Sequence, residues 1–347
     1  MSLINTRLQN FRADSPVDAW EVRASQYGFL DLFKNQTSSP NSIITDDLKK
    51  KAIAAVGSSL EIPVIQNETF TISNVTQPVV ITGDPSTSQL YAVTFVHYNF
   101  NFRLFPGMHV NNDIKLQREF ARKLEGFVYA LLASLDTAGE SALGTKKTQV
   151  LANTLGGRYA LVGDIVEAPL AEEGAVIGDI NPLFSGNDFF GPIHIVGEPA
   201  TQSHVRNKLL EKGEFNTDNK TYQWADKTFY WSNRLSNAAG HKATMYAVQN
   251  NCVGLLQQFG ADNLLNNKTH KHVWDIETLP IAGMQIGVFQ YDDAIDGSAL
   301  GGASTTHLTA TKMEAYGFHT AVAFVTPYNS DLANIASPIM KLAIKTT

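Results

Sequence analysis

Cysteine is nearly absent: the 347 residues contain one, Cys252. That excludes a scaffold stapled by disulfides. Charge is scarce as well. Asp, Glu, Lys and Arg make up 17% of the chain, against roughly 25% in ordinary soluble domains, and Asn, Thr, Ser and Gln fill the gap. A surface so poor in charge points to area that ends against other subunits. No stretch reaches the roughly 18 consecutive apolar residues of a membrane span, and Met1 to Asn10 lacks the apolar core of a signal peptide. The expectation is a product made inside the cell, without membrane contact. A basic excess is missing too. With 27 Lys+Arg against 33 Asp+Glu the net charge is −6, so the chain lacks the basic face that reading nucleic acid requires.

Catalytic signatures are also absent. There is no Gly-x-Ser-x-Gly elbow, no Gly-Lys-Ser/Thr phosphate loop, no His-Glu-x-x-His and no Gly-x-Gly-x-x-Gly after a strand. His270 and His272 stand two apart, as ligands on one strand face would, but no third ligand is signposted. Asp292, Asp293 and Asp296 precede Gly297, yet Ala294 and Ala303 occupy ligand positions of a calcium loop, so the register fails. Cys252 is followed by Val253-Gly254-Leu255-Leu256 and reads as a buried, inert thiol. The aromatics Tyr222, Trp224, Phe229, Tyr230 and Trp231 lack the interleaved basic residues of a nucleic-acid groove and read as strand packing. No cofactor, metal site or catalytic residue is expected.

What is present is a clear order of elements. The first sixty residues read as an arm with two short helices. Ser15-Pro16 with Asp18 opens one, whose Val17, Trp20, Ala24 and Tyr27 form a face; Thr45-Asp46-Asp47 opens another with Ile44, Leu48, Ala52 and Val56 aligned. Neither could bury its face alone. From Ile62 to Leu104 the period becomes two. Val96, Tyr98, Phe100, Phe102 and Leu104 alternate with polar residues, the first arm runs through Ile62 to Ile72, and Gly83-Asp84-Pro85-Ser86 supplies a turn, which predicts a long hairpin. Between Ile62 and Asn112 only Glu68, Asp84 and Arg103 are charged. A ribbon of this kind is marginal alone and aggregates unless it is covered.

Asn112-Asp113 then opens the strongest helix, expected to run to about Leu135, with Phe120, Leu124, Phe127, Leu131 and Leu135 on its core face. A loop is expected over Gly139 to Gly157. A mixed α/β region follows, with a strand at Ile193 to Val196, a helix ending at Gly213, and strands at Thr228 to Ser232, Ala243 to Gln249, Met284 to Tyr291, Tyr316 to Thr326 and Met340 to Ile344. A short helix is expected near Cys252 to Phe259.

This layout resembles the major capsid proteins of tailed bacteriophages, the HK97-like fold, and the stretch Phe189-Phe190-Gly191-Pro192-Ile193-His194-Ile195-Val196-Gly197-Glu198-Pro199 looks like the opening of their axial domain. Lys212-Gly213-Glu214-Phe215 and Ala225 to Tyr230 follow as they would there. The resemblance implies an α+β fold divided into an N-terminal arm (1–60), an extended E-loop hairpin (61–105), a P domain (106–157) with its spine helix at about 112–135, an A domain (158–279) and closing strands shared between P and A domains (280–347).

It further implies a non-enzymatic virion protein that self-assembles into pentamers and hexamers of an icosahedral shell around double-stranded DNA, which it touches only non-specifically. Assembly would take place in the host cytoplasm, with portal and scaffold or decoration proteins as partners. Trp20, Tyr98, Phe100, Phe102 and Arg103 are the residues expected to contact neighbouring subunits. The hairpin lacks the lysine that welds some such shells by isopeptide bonds, so a non-covalent shell is expected. No long scaffolding segment precedes the arm, so any scaffold is expected to be a separate or removed piece. The alternatives are an encapsulin-like nanocompartment shell and a soluble α+β enzyme without a recognisable motif.

Overall fold

The computed structural model describes residues 27–55, 59–65, 88–105, 113–147, 155–212, 223–224, 227–235, 237, 240–258, 272–279, 284–295, 311–328 and 336–346. Among the described residues two helices come first, α1 (Gly28–Ser38) and α2 (Asp46–Ala54). The expected helix from Ser15 falls outside the described residues. The stretch after it, which the polar run from Lys34 marks as a break, is instead the helix α1. Its Phe29, Leu30, Leu32 and Phe33 are buried, and burial of four large side chains outweighs the low helix preference of Asn35, Thr37 and Ser38. Helix α2 starts as expected, with the Thr45 hydroxyl accepting from the Leu48 amide at 3.3 Å. Both helices find their partner surfaces within the chain.

Strands β1 (Ser59–Ile65), β2 (Ser88–Thr94) and β3 (Val96–Leu104) follow. Here the expected hairpin is corrected. β1 pairs with β2, from Ser59 opposite Thr94 to Ile65 opposite Ser88. The chain then passes through the buried Phe95 into β3, which leaves the ribbon and joins another sheet. The alternating run Val96 to Leu104 is a strand, but its partner lies more than two hundred residues further on. Helix α3 (Asp113–Thr145) has 33 residues, about 50 Å at 1.5 Å per residue. All five residues of its expected core stripe are buried. It runs ten residues past Leu135 because Gly139 is a crossing point and not a stop. A Cβ there would lie 3.2 Å from Phe29 Cβ and 3.3 Å from Phe324 Cε1, so a larger residue would press α1 outward by a few tenths of an ångström.

Next come β4 (Ala160–Val162), β5 (Ile165–Ala168), α4 (Val176–Ser185), β6 (Ile193–Gly197), α5 (Pro199–Lys212), β7 (Gln223–Trp224), β8 (Lys227–Trp231) and β9 (His241–Gln249). Last are β10 (Gly254–Gln258), β11 (His272–Leu279), β12 (Met284–Ile295), β13 (Thr311–Val325) and β14 (Ile339–Lys345). The helix expected near Cys252 is β10, because Leu255 and Leu256 bury on opposite faces beside the long strand β13.

The described strands form three sheets. One is the ribbon β1–β2. The second runs β10-β13-β12-β11, with β3 also on β13 from Leu104 opposite Glu314 to Val96 opposite Val322. The third runs β4-β5-β14-β9-β6-β8-β7, parallel only at β5–β14 and β6–β8. Sheet pairing places β10 and β11 with β12 and β13.

Three cores follow. Helix α3, α1 and the even-numbered side chains of β3 and β13 make the largest, with Phe100 stacked on Phe127 at 4.8 Å and Phe102 on Phe318 at 5.7 Å. Helix α4 and the seven-stranded sheet make the second. The third joins α2, the base of the ribbon and the odd-numbered side chains of β13: Ile44, Ala52, Val93, Phe95, Ala321, Ala323 and Val325.

Candidate functional site

Among the described residues, the thiol and several carboxylates are engaged in structure. The Cys252 thiol donates to the Gln249 carbonyl at 3.0 Å, and burial pushes its pKa up, away from the reactive thiolate. His272 begins β11 while His270 lies outside the described residues. Asp292 and Asp293 sit within β12, opposite Glu314 and Met313, on extended backbone unlike a calcium loop; Asp296 is outside the described residues. Among the described residues no group of three or more His, Cys, Asp or Glu is arranged to hold a metal ion.

The carboxylates with shifted pKa values join neighbouring elements. Glu167 accepts from Lys345 Nζ at 2.7 Å and meets His241 Nε2 at 3.0 Å. The lysine, ahead of the opposing burial, holds its carboxyl below the usual range. Glu173 is held down chiefly by Lys242, at 2.8 Å, and also meets His204 Nδ1 at 2.9 Å. These links tie β5, β9, β14 and α5 together.

The unusual surface is the ribbon. Among the described residues β1 and β2 pair only with each other, so each offers an outer row of backbone donors and acceptors. In these two strands only Glu61 is charged. Leu90 is 64% exposed and Val96, at the start of β3, 49%. The base of the ribbon is fixed. Tyr91 lies 5.4 Å from the Tyr328 ring, with Lys146 Nζ 5.9 Å from its own centroid, and the Tyr328 hydroxyl bonds Gln89. Val93 and Phe95 are buried beneath. One face of the ribbon is thus held through Gln89, Tyr91 and Val93, while Leu90 stands bare on the other.

The five expected contact residues separate on this geometry. Trp20 lies outside the described residues. Phe102 is 7% exposed and packs against Phe120 and Phe318 in this chain's own core. Tyr98 and Phe100 are half-buried against that same core. Arg103 faces outward, and its carbonyl accepts from Lys123 Nζ at 2.8 Å. The apolar alternation of β3 marked a buried face, and the exposed one lies on β2, where Leu90 is the residue sequence reasoning passed over.

No family model matches the sequence, and no curated protein matches it. Solved structures do resemble it. The capsid asymmetric unit of cyanophage Pam1 is 10% identical, with 90% of this chain and 93% of that chain covered at a TM-score of 0.47. A chain from Mycobacterium phage Che8 is 9% identical, covering 87% and 88%, also at 0.47. The mature capsid of bacteriophage PhiM1 is 10% identical, covering 84% and 83%, at 0.44. These are likenesses of overall layout below a TM-score of 0.5.

Further bare apolar places lie on the α/β unit, Leu170 among them. Strand β4, an edge of the seven-stranded sheet, exposes Leu161 and Val162. On the loop before β6, between Asp188 at φ 60° and Gly191 at φ 128°, Phe190 is 69% exposed, while its carbonyl is held by Gln249 Nε2.

Proposed function

We propose that this chain is a structural shell protein of the HK97-like kind, a major capsid protein whose copies join as pentamers and hexamers into a closed, non-covalent icosahedral container for double-stranded DNA. The observation that carries the reading is the ribbon β1–β2: anchored at Tyr91 and Phe95, bare at Leu90, and nearly without charge. Such an edge is an aggregation hazard in a free subunit and an asset in an assembly that covers it. Leu161, Val162 and Phe190 supply further contact area on the axial unit. Interfaces of standard size, roughly 1,600 Å² each, repeated around every subunit would dominate association. A net charge of −6 suits an inner wall that must not grip its contents.

Electron microscopy of the purified full chain tests the reading. Closed particles or rings of megadalton mass support it, and a small discrete oligomer overturns it. Nuclease treatment of particles isolated from infected cells separates the two kinds of shell: protected DNA belongs to a capsid, and protected protein cargo alone to an encapsulin-like compartment.

A further inference from the structure

At the root of the ribbon two imidazoles meet. His97, second residue of β3, and His319 of β13 lie diagonally across the ladder, His97 opposite Ala321 and His319 opposite Asn99. His97 Nδ1 is 3.1 Å from His319 Nε2, the ring centroids are 5.4 Å apart and the planes differ by 15°. The centroid spacing is that of two rings meeting nitrogen to nitrogen, nearly coplanar and edge to edge. This is the geometry of one proton held between two ring nitrogens. It is not that of a metal site, where the two lone pairs would converge on a third point.

The far side of the pair matters as much. His319 Nδ1 is buried and has no hydrogen-bond partner among the described residues. The neutral pair carries two N–H protons on four nitrogens: one between the rings and one on the exposed ring of His97. A third proton has two places to go. It can sit on His319 Nδ1, as a buried donor without an acceptor, or it can join the facing nitrogens, where two N–H groups would then oppose each other at 3.1 Å.

We propose that the His97–His319 pair is an acid-sensitive clamp on the root of the ribbon, closed while a single proton lies between the rings and opened when the pair takes up another. The clamp fastens the first residues of β3, immediately after Phe95, to the central strand of the sheet. It stands whether or not the ribbon docks on another copy.

Few other charges reach the pair. The opposing residue on β12 is Gly287 and on β3 Asn99. β2 brings only Tyr91 as an ionisable group and β10 none. On β3, Tyr98 points to the opposite face, as does Glu314 on β13, while Arg103 stands six ladder pairs along from His97 on the same face. Helix α3, with Arg118, Glu119, Arg122, Lys123 and Glu125, packs on the opposite face, and α2, with Asp46, Asp47, Lys49, Lys50 and Lys51, packs on β10. Burial first, and then the charge of His97, lowers the pKa of His319. A base whose folded pKa is depressed contributes stability that is complete above its unfolded value, about 6.5, and is lost as pH falls below it.

Hydrogen exchange of the full chain, read by mass spectrometry at pH 7.5 and pH 5.0 and corrected for the intrinsic rate, tests the clamp. Peptides over 96–100 should lose protection roughly five- to tenfold in acid, what one lost hydrogen bond is worth, while peptides from the middle of α3 keep theirs. In His97→Gln the acid-dependent loss should disappear. An equal acid loss in the variant, or none in the wild type, overturns the proposal. A second readout needs no variant: exchange of the imidazole C2 protons gives the titration of each histidine, and His319 titrating at the ordinary imidazole value would also overturn it.

Discussion

The Asp136 carboxylate, in the middle of α3, caps the start of α1 by accepting from the Phe29 amide at 2.9 Å; the same oxygen accepts from the Leu30 amide at 3.1 Å. Helix α1 has no side-chain cap of its own, and the second carboxylate oxygen of Asp136 accepts from the Ser232 hydroxyl. One buried group therefore joins the early helix, the long helix and the end of β8. Asp136→Ala leaves three buried donors without an acceptor and should lower stability by about 3 kcal/mol in urea unfolding. Asp136→Asn keeps one acceptor oxygen and should lose roughly half as much.

A pH dependence follows one turn on. The Asp31 carboxyl is pushed up to about 6, by burial first and by Asp136, with Lys34 pulling the other way. The folded state thus holds this proton more tightly than the unfolded chain, whose carboxyl titrates near 4. Its contribution to stability is full below about pH 4 and disappears as pH rises through about 6. Asp31→Asn should remove that slope and make the chain more stable than wild type at pH 7, by on the order of 1 kcal/mol after allowance for screening. Urea midpoints at pH 4.5 and 7 measure both.

The same substitution should have opposite signs at two places on α3. Gly126 has open space where a Cβ would go, whereas at Gly139 the Cβ would press on Phe29 and Phe324. Gly126→Ala should stabilise by about 0.5–1 kcal/mol through helix preference. Gly139→Ala should destabilise by about 1 kcal/mol, as α1 is pushed away from α3. Thermal unfolding of the two variants side by side decides this.

Those two glycines also mark how far the sequence could be read. The period of Phe120 to Leu135 was legible because a helix face repeats locally, but Gly139 looks the same in sequence whether it ends a helix or admits a crossing one. The strand character of Val96 to Leu104 was equally plain. Its partner was not, because β13 lies two hundred residues away and alternation says only that one face is apolar, never which chain covers it. Hence alternation marks Phe102 as apolar without telling that its own chain covers it, and the plainer run Ser88–Thr94 gives no sign that Leu90 is bare. The low charge around both was the surviving signal.

Phe102 and Leu90 now stand for the two fates of an apolar residue here, one covered by its own chain and one left bare. Phe102→Ala should lower subunit stability by about 3–5 kcal/mol. A variant at Leu90 should leave it within about 0.5 kcal/mol of wild type. Urea unfolding under conditions that keep subunits apart checks the pair.

The central claim is that the bare edge of the ribbon is covered by other copies of the chain, and sedimentation velocity of Leu90→Asp, with its fold followed by circular dichroism, tests it most directly. The account predicts a wild-type spectrum and melting profile with the boundary shifted from closed particles to free subunits or small rings. Particles of wild-type size and yield from a folded Leu90→Asp chain would contradict it.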